Sequence, residues 1–202
     1  APMRLRNLIL ATGLLLLVPG CEQPDTLANI QARGELVVVS RNSPTTYYLD
    51  KSGPTGFEFA LAELLAQSLG VELRMETAYN LSDIFSMLQR READIAAAGL
   101  TLTEERSARF PHSIAYEKLT PQVIYSEGNS RPDSVYDLAG MPVAVLAGSS
   151  HMEMLKGLQK EVPGLQWEEI DEADTMQLLE MLSSEQAALA VIDSNEFAVQ
   201  QS

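Results

Sequence analysis

The chain has 202 residues, of which 46% are hydrophobic and 21% are charged. Such a composition is ordinary for globular proteins, and this length suits one or two small domains. The formal net charge of −14 argues against nucleic acid as a partner and against a basic membrane-binding face. Cys21 is the only cysteine, which excludes an internal disulfide.

The first residues are typical of an export signal. Arg4 and Arg6 precede the apolar stretch LILATGLLLLVPG, which is shorter than the roughly 20 residues of a membrane span and stops at Cys21. The letters LLVPGC resemble a bacterial lipobox, which implies that Cys21 is lipidated, and Glu22 after it implies the outer membrane. We therefore predict a lipoprotein signal peptide over residues 1–21.

Residues 22–34 are predicted to be a tether with a short helix, and a first α/β lobe is predicted over residues 35–121. LVVVS, at 36–40, is a continuous β-branched run of the kind found in strands covered on both faces. The chain then alternates helix and strand, in the segments GFEFALAELLAQSLG, VELRMET, LSDIFSMLQRREA and DIAAAGL. This alternation predicts a parallel sheet flanked by helices with right-handed crossovers.

The same alternation is repeated over residues 122–202, which we predict to be a second lobe. A connecting strand, PQVIYSE, leads into it. The strands VAVL, LQWEEID and AALAVID then alternate with the helices HMEMLKGLQKEVPG and TMQLLEMLSSEQA. Because the pattern occurs twice, two lobes are predicted, each built on a mainly parallel sheet.

Polar residues follow the predicted strands of both lobes. In open α/β sheets, ligands bind at the carboxyl ends of the strands. The polar groups at these ends are Asn42 and Ser43, Gly99 to Thr103, Gly148 to His151, and Asp193 to Asn195. The sequence therefore predicts a ligand site where these strand ends meet.

Four segments resemble, in order and spacing, the two-lobed periplasmic amino-acid-binding proteins of type 2: GFEFALAELLAQSLGVEL, ADIAAAGLTLTEERSARFPHSIAY, DLAGMPVAVLAGSS and AALAVIDSNE. The resemblance covers roughly residues 35–198 and implies the periplasmic binding protein-like fold. In that fold the chain returns to the first lobe after the second. Since this sequence stops at DSNEFAVQQS, we expect it to be truncated before the return, with the second lobe incomplete at its C-terminus.

RNSPTTYY, TPQVIY and GSSH, together with the lipobox, are most similar to the N-terminal sensory module of the membrane-bound lytic murein transglycosylases F. That family continues into a lysozyme-like catalytic domain, whose catalytic glutamate segment has no counterpart here. The resemblance implies a lipid-anchored protein on the periplasmic face of the outer membrane. It also implies contact with peptidoglycan through the missing domain, whose lyase activity would serve cell-wall turnover.

The segment GLTLTEER carries the first predicted ligand contacts. The resemblance implies that Gly99 and Thr101 offer a carbonyl and a hydroxyl, and that Arg106 binds the ligand's carboxylate. A guanidinium suits this role because two of its coplanar N–H groups can donate to the two oxygens of a carboxylate. The alternative is a helix N-terminus capped by Thr103, with Arg106 in solvent.

The second lobe is predicted to supply the complementary contacts. Gly148, Ser149 and Ser150 lie between a strand and a helix, where free N–H groups attract a carboxylate, although a tight turn with Ser150 as N-cap explains them equally well. The resemblance implies that Asp193 pairs with the ligand's α-ammonium. Its alternative is a turn residue that caps SNEFAV.

Aromatic residues after the first strand are candidates for a lid. The resemblance places Tyr47 and Tyr48 over the ligand side chain, while a core role remains open for one of them. Many amino-acid binders carry a basic residue shortly before the second-lobe glycine, where this chain has Leu146 and Ala147. The ligand's side chain therefore stays undetermined.

Other chemistries find little support in the sequence. His112 and His151 have no partner at metal spacing, so no metal or cofactor is predicted. Nucleophile elbows and phosphate-binding loops are absent from the sequence. The leading hypothesis is a module that senses a small zwitterion, either an amino acid or a murein-derived peptide, and is not catalytic by itself. The alternatives are an amino-acid-binding lipoprotein of a transporter and an enzyme resembling cyclohexadienyl dehydratases.

Overall fold

The structure is a computed structural model that describes residues 26–172 and 174–200. The predicted signal peptide over 1–21, the lipidation site Cys21 and the start of the tether lie outside these residues. None of the helices in the described part of the chain combines the length and apolar character that crossing a bilayer requires.

Residues 26–109 contain the elements of the first lobe. They are α1 (Thr26–Arg33), β1 (Glu35–Ser40), β2 (Tyr48–Asp50), β3 (Gly53–Thr55), α2 (Phe57–Leu69), β4 (Glu72–Thr77), α3 (Leu81–Gln89), β5 (Ile95–Ala96) and α4 (Glu104–Arg109). The main sheet has the order β4-β1-β5 and is parallel throughout, while β2 and β3 form a separate antiparallel hairpin.

Strand β1 is the centre of the first lobe and is covered on both faces, as predicted. Leu36 and Val38 pack in one cluster with residues of α1 and α2. Val37 and Val39 belong to another cluster, which includes residues of α3. This division follows from the alternation of side chains along a strand.

The starts of the predicted helical segments agree with the structure to within a residue or two, but three of the helices end four to six residues before their predicted segments do. Gly70 closes α2 in the left-handed conformation, and its N–H donates to Ala66 and Gln67 carbonyls, as a C-terminal cap should. Helix α3 begins at Leu81, because Asn80 caps it by accepting from the Asp83 N–H. It ends at Gln89, before the two arginines of the predicted helical segment LSDIFSMLQRREA.

Helix α1 lies within the predicted tether of residues 22–34. Its residue Ile30 is buried and packs with Leu36 and Val38 of β1. This part of the predicted tether is therefore attached to the core of the first lobe.

Residues 121–200 contain the elements of the second lobe. They are β6 (Pro121–Tyr125), a 3₁₀ helix (Val135–Leu138), β7 (Val143–Leu146), α5 (Ser150–Leu158), β8 (Trp167–Ile170), α6 (Met176–Ser183), β9 (Leu189–Asp193) and α7 (Ser194–Gln200). The sheet has the order β6-β9-β7-β8, with β7 parallel to both neighbours and β6 antiparallel to β9. The two sheets and their flanking helices form the α/β periplasmic binding protein-like fold that the sequence predicts.

The lobes contact each other through a shared cluster of buried apolar side chains. This cluster includes Val39 and Leu81 of the first lobe together with Leu146, Leu178 and Ile192 of the second. Leu81 and Leu146 also line the space between the lobes. The strand ends of the two sheets are thereby held face to face. The domain boundary between residues 121 and 122 stays a prediction, although the second sheet already includes Pro121.

Candidate functional site

A cleft lies between the lobes at the predicted strand ends. Its free volume is about 30 Å³, which leaves room for about one or two waters. A wider space of about 320 Å³ adjoins it and shares several of its lining residues. The predicted site residues that line the narrow cleft are Gly99, Thr101, Arg106, Ser149, Ser150 and Asp193.

Arg106 combines features of both hypotheses for its segment. Thr103 does cap α4 by accepting from the Arg106 N–H, as the capping alternative predicted. The Arg106 side chain, however, is only 11% exposed, so the predicted solvation is wrong. Its Nη1 donates to the Thr101 carbonyl at 2.8 Å and its Nη2 donates to the Gly148 carbonyl at 2.9 Å. The guanidinium therefore lies in the cleft and joins the lobes.

Burial changes the electrostatics of Arg106. It lowers the pKa of the guanidinium from its usual value, and the Glu153 carboxylate, 3.9 Å from Nε, opposes this effect. An arginine nevertheless remains charged at physiological pH. The guanidinium also lies over the Phe85 ring, 5.1 Å from its centroid, which favours a cation at this position.

Gly99 is positioned by a carboxylate that sequence analysis did not select. Its φ of +61° lies in the left-handed region, which favours glycine. The Gly99 N–H donates to Glu58 Oε1 at 2.9 Å, and the Tyr116 hydroxyl donates to the same oxygen at 2.6 Å. Burial and the Glu58 carboxylate raise the pKa of Tyr116 well above its usual value. The available signal for Glu58 was an acidic residue in the first turn of the apolar helix α2.

The second-lobe turn is built on Gly148 and Ser149. Gly148 has a φ of +71°, and the Ser149 hydroxyl caps α5 by accepting from the Met152 N–H. The cap predicted at Ser150 is therefore displaced by one residue, because Ser150 is already helical. Gly148 also lies against the first lobe, where an added Cβ would be 3.1 Å from Ser82 Oγ.

Asp193 ends β9 and lines the cleft, at a strand end where the sequence predicted a ligand site, while its pairing with an α-ammonium stays a prediction. Its Oδ1 is 3.0 Å from Nε2 of His151, and both side chains are buried. The sequence placed His151 in the polar run after β7 but gave it no partner. Its contact with Asp193 depends on the packing of α5 against β9, which the separation of 42 residues along the chain conceals.

A buried ion pair in the cleft was also missed. Arg41 follows β1 and donates from Nε to the Ala98 carbonyl at 3.0 Å, while its Nη2 contacts Glu196 of α7. Arg41 is 6% and Glu196 is 4% exposed. Burial raises the pKa of Glu196 above its usual range, against the opposing effect of Arg41. The two residues are 155 positions apart, so local patterns cannot pair them.

The two tyrosines predicted as a lid do not line the cleft. Tyr47 packs against Phe59, with ring centroids 5.9 Å apart, and Tyr48 begins the hairpin strand β2. Tyr47 is thus partly buried against its own lobe, outside the three clusters of buried apolar side chains, and its role as a lid stays a prediction. Within residues 26–172 and 174–200, no group of three potential metal ligands is close enough to hold an ion.

Relatives of this chain are similar over nearly its whole length but are much longer. A membrane-bound lytic murein transglycosylase F from Pseudomonas fluorescens (strain Pf0-1) is 45% identical over 96% of this chain and 40% of its own length. The protein of the same name from Ectopseudomonas mendocina (strain ymp) is 44% identical over 98% of this chain and 42% of its own length. The chain thus spans less than half of these relatives.

Solved structures support the same fold. The arginine-bound form of a truncated ArgBP from T. maritima is 25% identical, with a TM-score of 0.74 over 85% of this chain and 79% of its own. The ancestral amino-acid-binding protein AncCDT-1, a precursor of cyclohexadienyl dehydratase, is 27% identical, with a TM-score of 0.71 over 84% of this chain and 74% of its own. The sequence model of the bacterial extracellular solute-binding proteins, family 3, matches residues 36–195, and the chain belongs to this family.

Proposed function

We propose that the cleft binds a small zwitterion, either an amino acid or a murein-derived peptide with free α-amino and α-carboxyl groups. The observation that carries this proposal is the placement of Arg106 and Asp193 in one cleft, each on a different lobe. A guanidinium binds a carboxylate well, and a carboxylate binds an ammonium. The cleft therefore supplies a partner of opposite charge for each charged group of a zwitterion.

The remaining walls of the cleft indicate which side chains fit. Leu81, Leu100, Leu146 and Val191 line it alongside the charged groups. An uncharged side chain would pack against these residues without a desolvation cost. Leucine therefore belongs among the first ligands to test, beside the arginine and glutamine bound in neighbouring structures.

A ligand that contacts both Arg106 and Asp193 requires the lobes to separate at the narrow cleft. Small-molecule sites usually measure about 300–1,000 Å³, which is about ten to thirty times the volume of the narrow cleft. The adjoining space of about 320 Å³, lined by residues that include Thr103, Pro121 and Met154, also reaches Asp193. If the ligand is a peptide, the rest of its chain would lie in this wider space.

We further propose that this module reports ligand binding to a peptidoglycan-cleaving domain at the outer membrane. The support is the name shared by relatives that are 44–45% identical, of which this chain spans 40–43%. Lipidation at Cys21 would provide the anchor, since several acyl chains hold a protein stably at a bilayer. Cys21→Ser should release the protein on membrane fractionation, and retention in the outer membrane would place the anchor elsewhere.

Calorimetry tests the zwitterion proposal directly. L-leucine, L-arginine and L-glutamine are titrated into the protein, with N-acetyl-L-leucine and L-leucinamide as analogues that lack one charge each. We expect Arg106→Ala to weaken binding by about 30-fold or more, because it leaves a buried carboxylate without its partner. Arg109→Ala is the matched control, since this arginine of the same helix is 51% exposed. Unchanged affinity in Arg106→Ala would exclude the assignment.

Delivery of an amino acid to a transporter is the second candidate, favoured by the arginine-binding proteins among the solved neighbours. The two functions share the same site and differ in their partner. A ligand-dependent change in murein cleavage by the full-length protein would support sensing, whereas ligand-dependent uptake would support transport.

A further inference from the structure

The cleft contains two opposite charges that belong to different lobes and contact each other. Arg41 follows the central strand of the first sheet, and Glu196 lies on the last described helix of the second lobe. Both side chains are almost completely buried. Arg41 is also fixed within its own lobe, through the Ala98 carbonyl and through its own carbonyl, which accepts from Thr46 Oγ1. These contacts fix the position of Arg41 in its own lobe, from which its guanidinium reaches Glu196 across the cleft.

The groups that the proposed ligand would use are occupied by the protein itself. Arg106 donates to the Gly148 carbonyl of the opposite lobe, and Asp193 pairs with His151. The space that remains is about 30 Å³. The protein thus satisfies its own binding groups in this closed form. The narrow cleft that includes Arg106 has no room for an amino acid, while the wider space of about 320 Å³ reaches Asp193 but not Arg106.

A buried ion pair between two lobes affects the closure of the lobes more than the stability of the fold. Its Coulombic attraction is largely offset by the cost of removing both charges from water, so such a pair adds little net stability to a fold. Arg41 and Glu196 differ from a pair inside one lobe, because separating the lobes lets both charges regain water. Removal of one partner leaves the other buried without compensation as long as the cleft stays closed.

We propose that Arg41 and Glu196 form a latch that closes the cleft without ligand, so that a ligand must compete with this closed form. The latch goes beyond the proposed function, because it rests on a contact between the two lobes themselves and not on a contact with the ligand. It adds a conformational cost to binding, since affinity falls in proportion to the fraction of molecules that are open. Weakening the latch should therefore open the cleft and raise affinity together.

Energy transfer between dyes on the two lobes measures closure without ligand. Glu63→Cys and Lys160→Cys place the dyes on exposed positions of α2 and the second lobe, in a Cys21→Ser background that removes the native thiol. Glu196→Gln is the decisive variant, because it preserves the size of the side chain and removes its charge. Arg41→Met is the second variant. We expect both to lower the transfer efficiency in the absence of ligand.

Arg90→Met is the matched control, since Arg90 pairs with Glu92 on the surface of the first lobe alone. Circular dichroism checks that each variant is folded. If Arg41→Met does not fold, Glu196→Gln still decides the matter. Unchanged transfer in a folded Glu196→Gln protein would overturn the latch.

Ligand affinity gives a second measurement. Titration with L-leucine and L-arginine should show tighter binding to Glu196→Gln, by about tenfold if one unliganded molecule in ten is open. Weaker binding in this variant would contradict competition between latch and ligand. If neither probe binds any variant, the zwitterion proposal fails, while the energy-transfer result still decides whether the latch exists.

Discussion

The two lobes share a helix-strand pattern but differ in how completely their apolar surfaces are covered. In the second lobe, every residue of β7 and β9 is buried. In the first lobe only β1 is buried to a similar extent, while β4 alternates between exposed and partly buried residues. Helix α2 is highly apolar, yet its residues Phe57 and Leu64 are 52% and 62% exposed. Apolar residues at helical spacing therefore identify a helix without showing which side of it is covered.

The largest expected effect is the difference in unfolding free energy between replacing a buried leucine and replacing an exposed one. Leu178 of α6 is completely buried, whereas Leu64 of α2 is 62% exposed. Leu178→Ala should lower the free energy of unfolding by about 2–5 kcal/mol through lost burial and a cavity. Leu64→Ala should change it by about 0.5 kcal/mol or less. Urea unfolding measures both, and similar losses would show that α2 is as well covered in solution as α6.

Much of the fold could be predicted because its signals are local. A buried β-branched run such as residues 36–40, or a glycine after an apolar helix such as Gly70, depends on neighbours within a few positions. The hairpin of β2 and β3 was not predicted, because its strands are short and include Gly53 and Pro54, which rarely occur within strands. Strand β5 is shorter than its apolar segment suggested, since only Ile95 and Ala96 pair with β1.

The candidate site was predictable only in part, for a related reason. Arg106 and Asp193 were found because they follow strands in segments that resemble a known family. Arg41 and Glu196 lie at similar strand ends, but their pairing depends on how the lobes close. Tyr47 shows the reverse case, since this aromatic residue near a strand end packs against a ring of its own lobe. Contacts between lobes are determined by packing that no local pattern reports.

A smaller effect is expected from the carboxylate that organises the first-lobe part of the site. Glu58 is 3% exposed and accepts from both the Gly99 N–H and the Tyr116 hydroxyl. Glu58→Ala would leave the partly buried Gly99 N–H and the Tyr116 hydroxyl without this acceptor, which costs about 1–2 kcal/mol. Tyr116→Phe removes only one of these bonds and should cost about 1 kcal/mol. Thermal unfolding of the two variants measures the difference, and equal losses would mean that the Gly99 contact contributes nothing.

The smallest effect concerns the helix caps on the two sides of the cleft. Asn80 caps α3 and Ser149 caps α5, each by accepting a backbone N–H. Replacement of either by alanine should lower the free energy of unfolding by about 1 kcal/mol. Asn80 differs from Ser149 because its side-chain amide also donates to Asp171 of the opposite lobe, at 2.9 Å.

Asn80→Ser separates the two roles of this side chain, because serine is also a favourable cap but lacks the amide that reaches Asp171. That contact is exposed, and hydrogen bonds exposed to water add little net stability, so Asn80→Ser should remain within about 0.5 kcal/mol of the unchanged protein. Urea unfolding of Asn80→Ser and Asn80→Ala, beside Ser149→Ala, makes the comparison. A loss in Asn80→Ser as large as that in Asn80→Ala would show that the contact between the lobes, and not the cap, holds the start of α3.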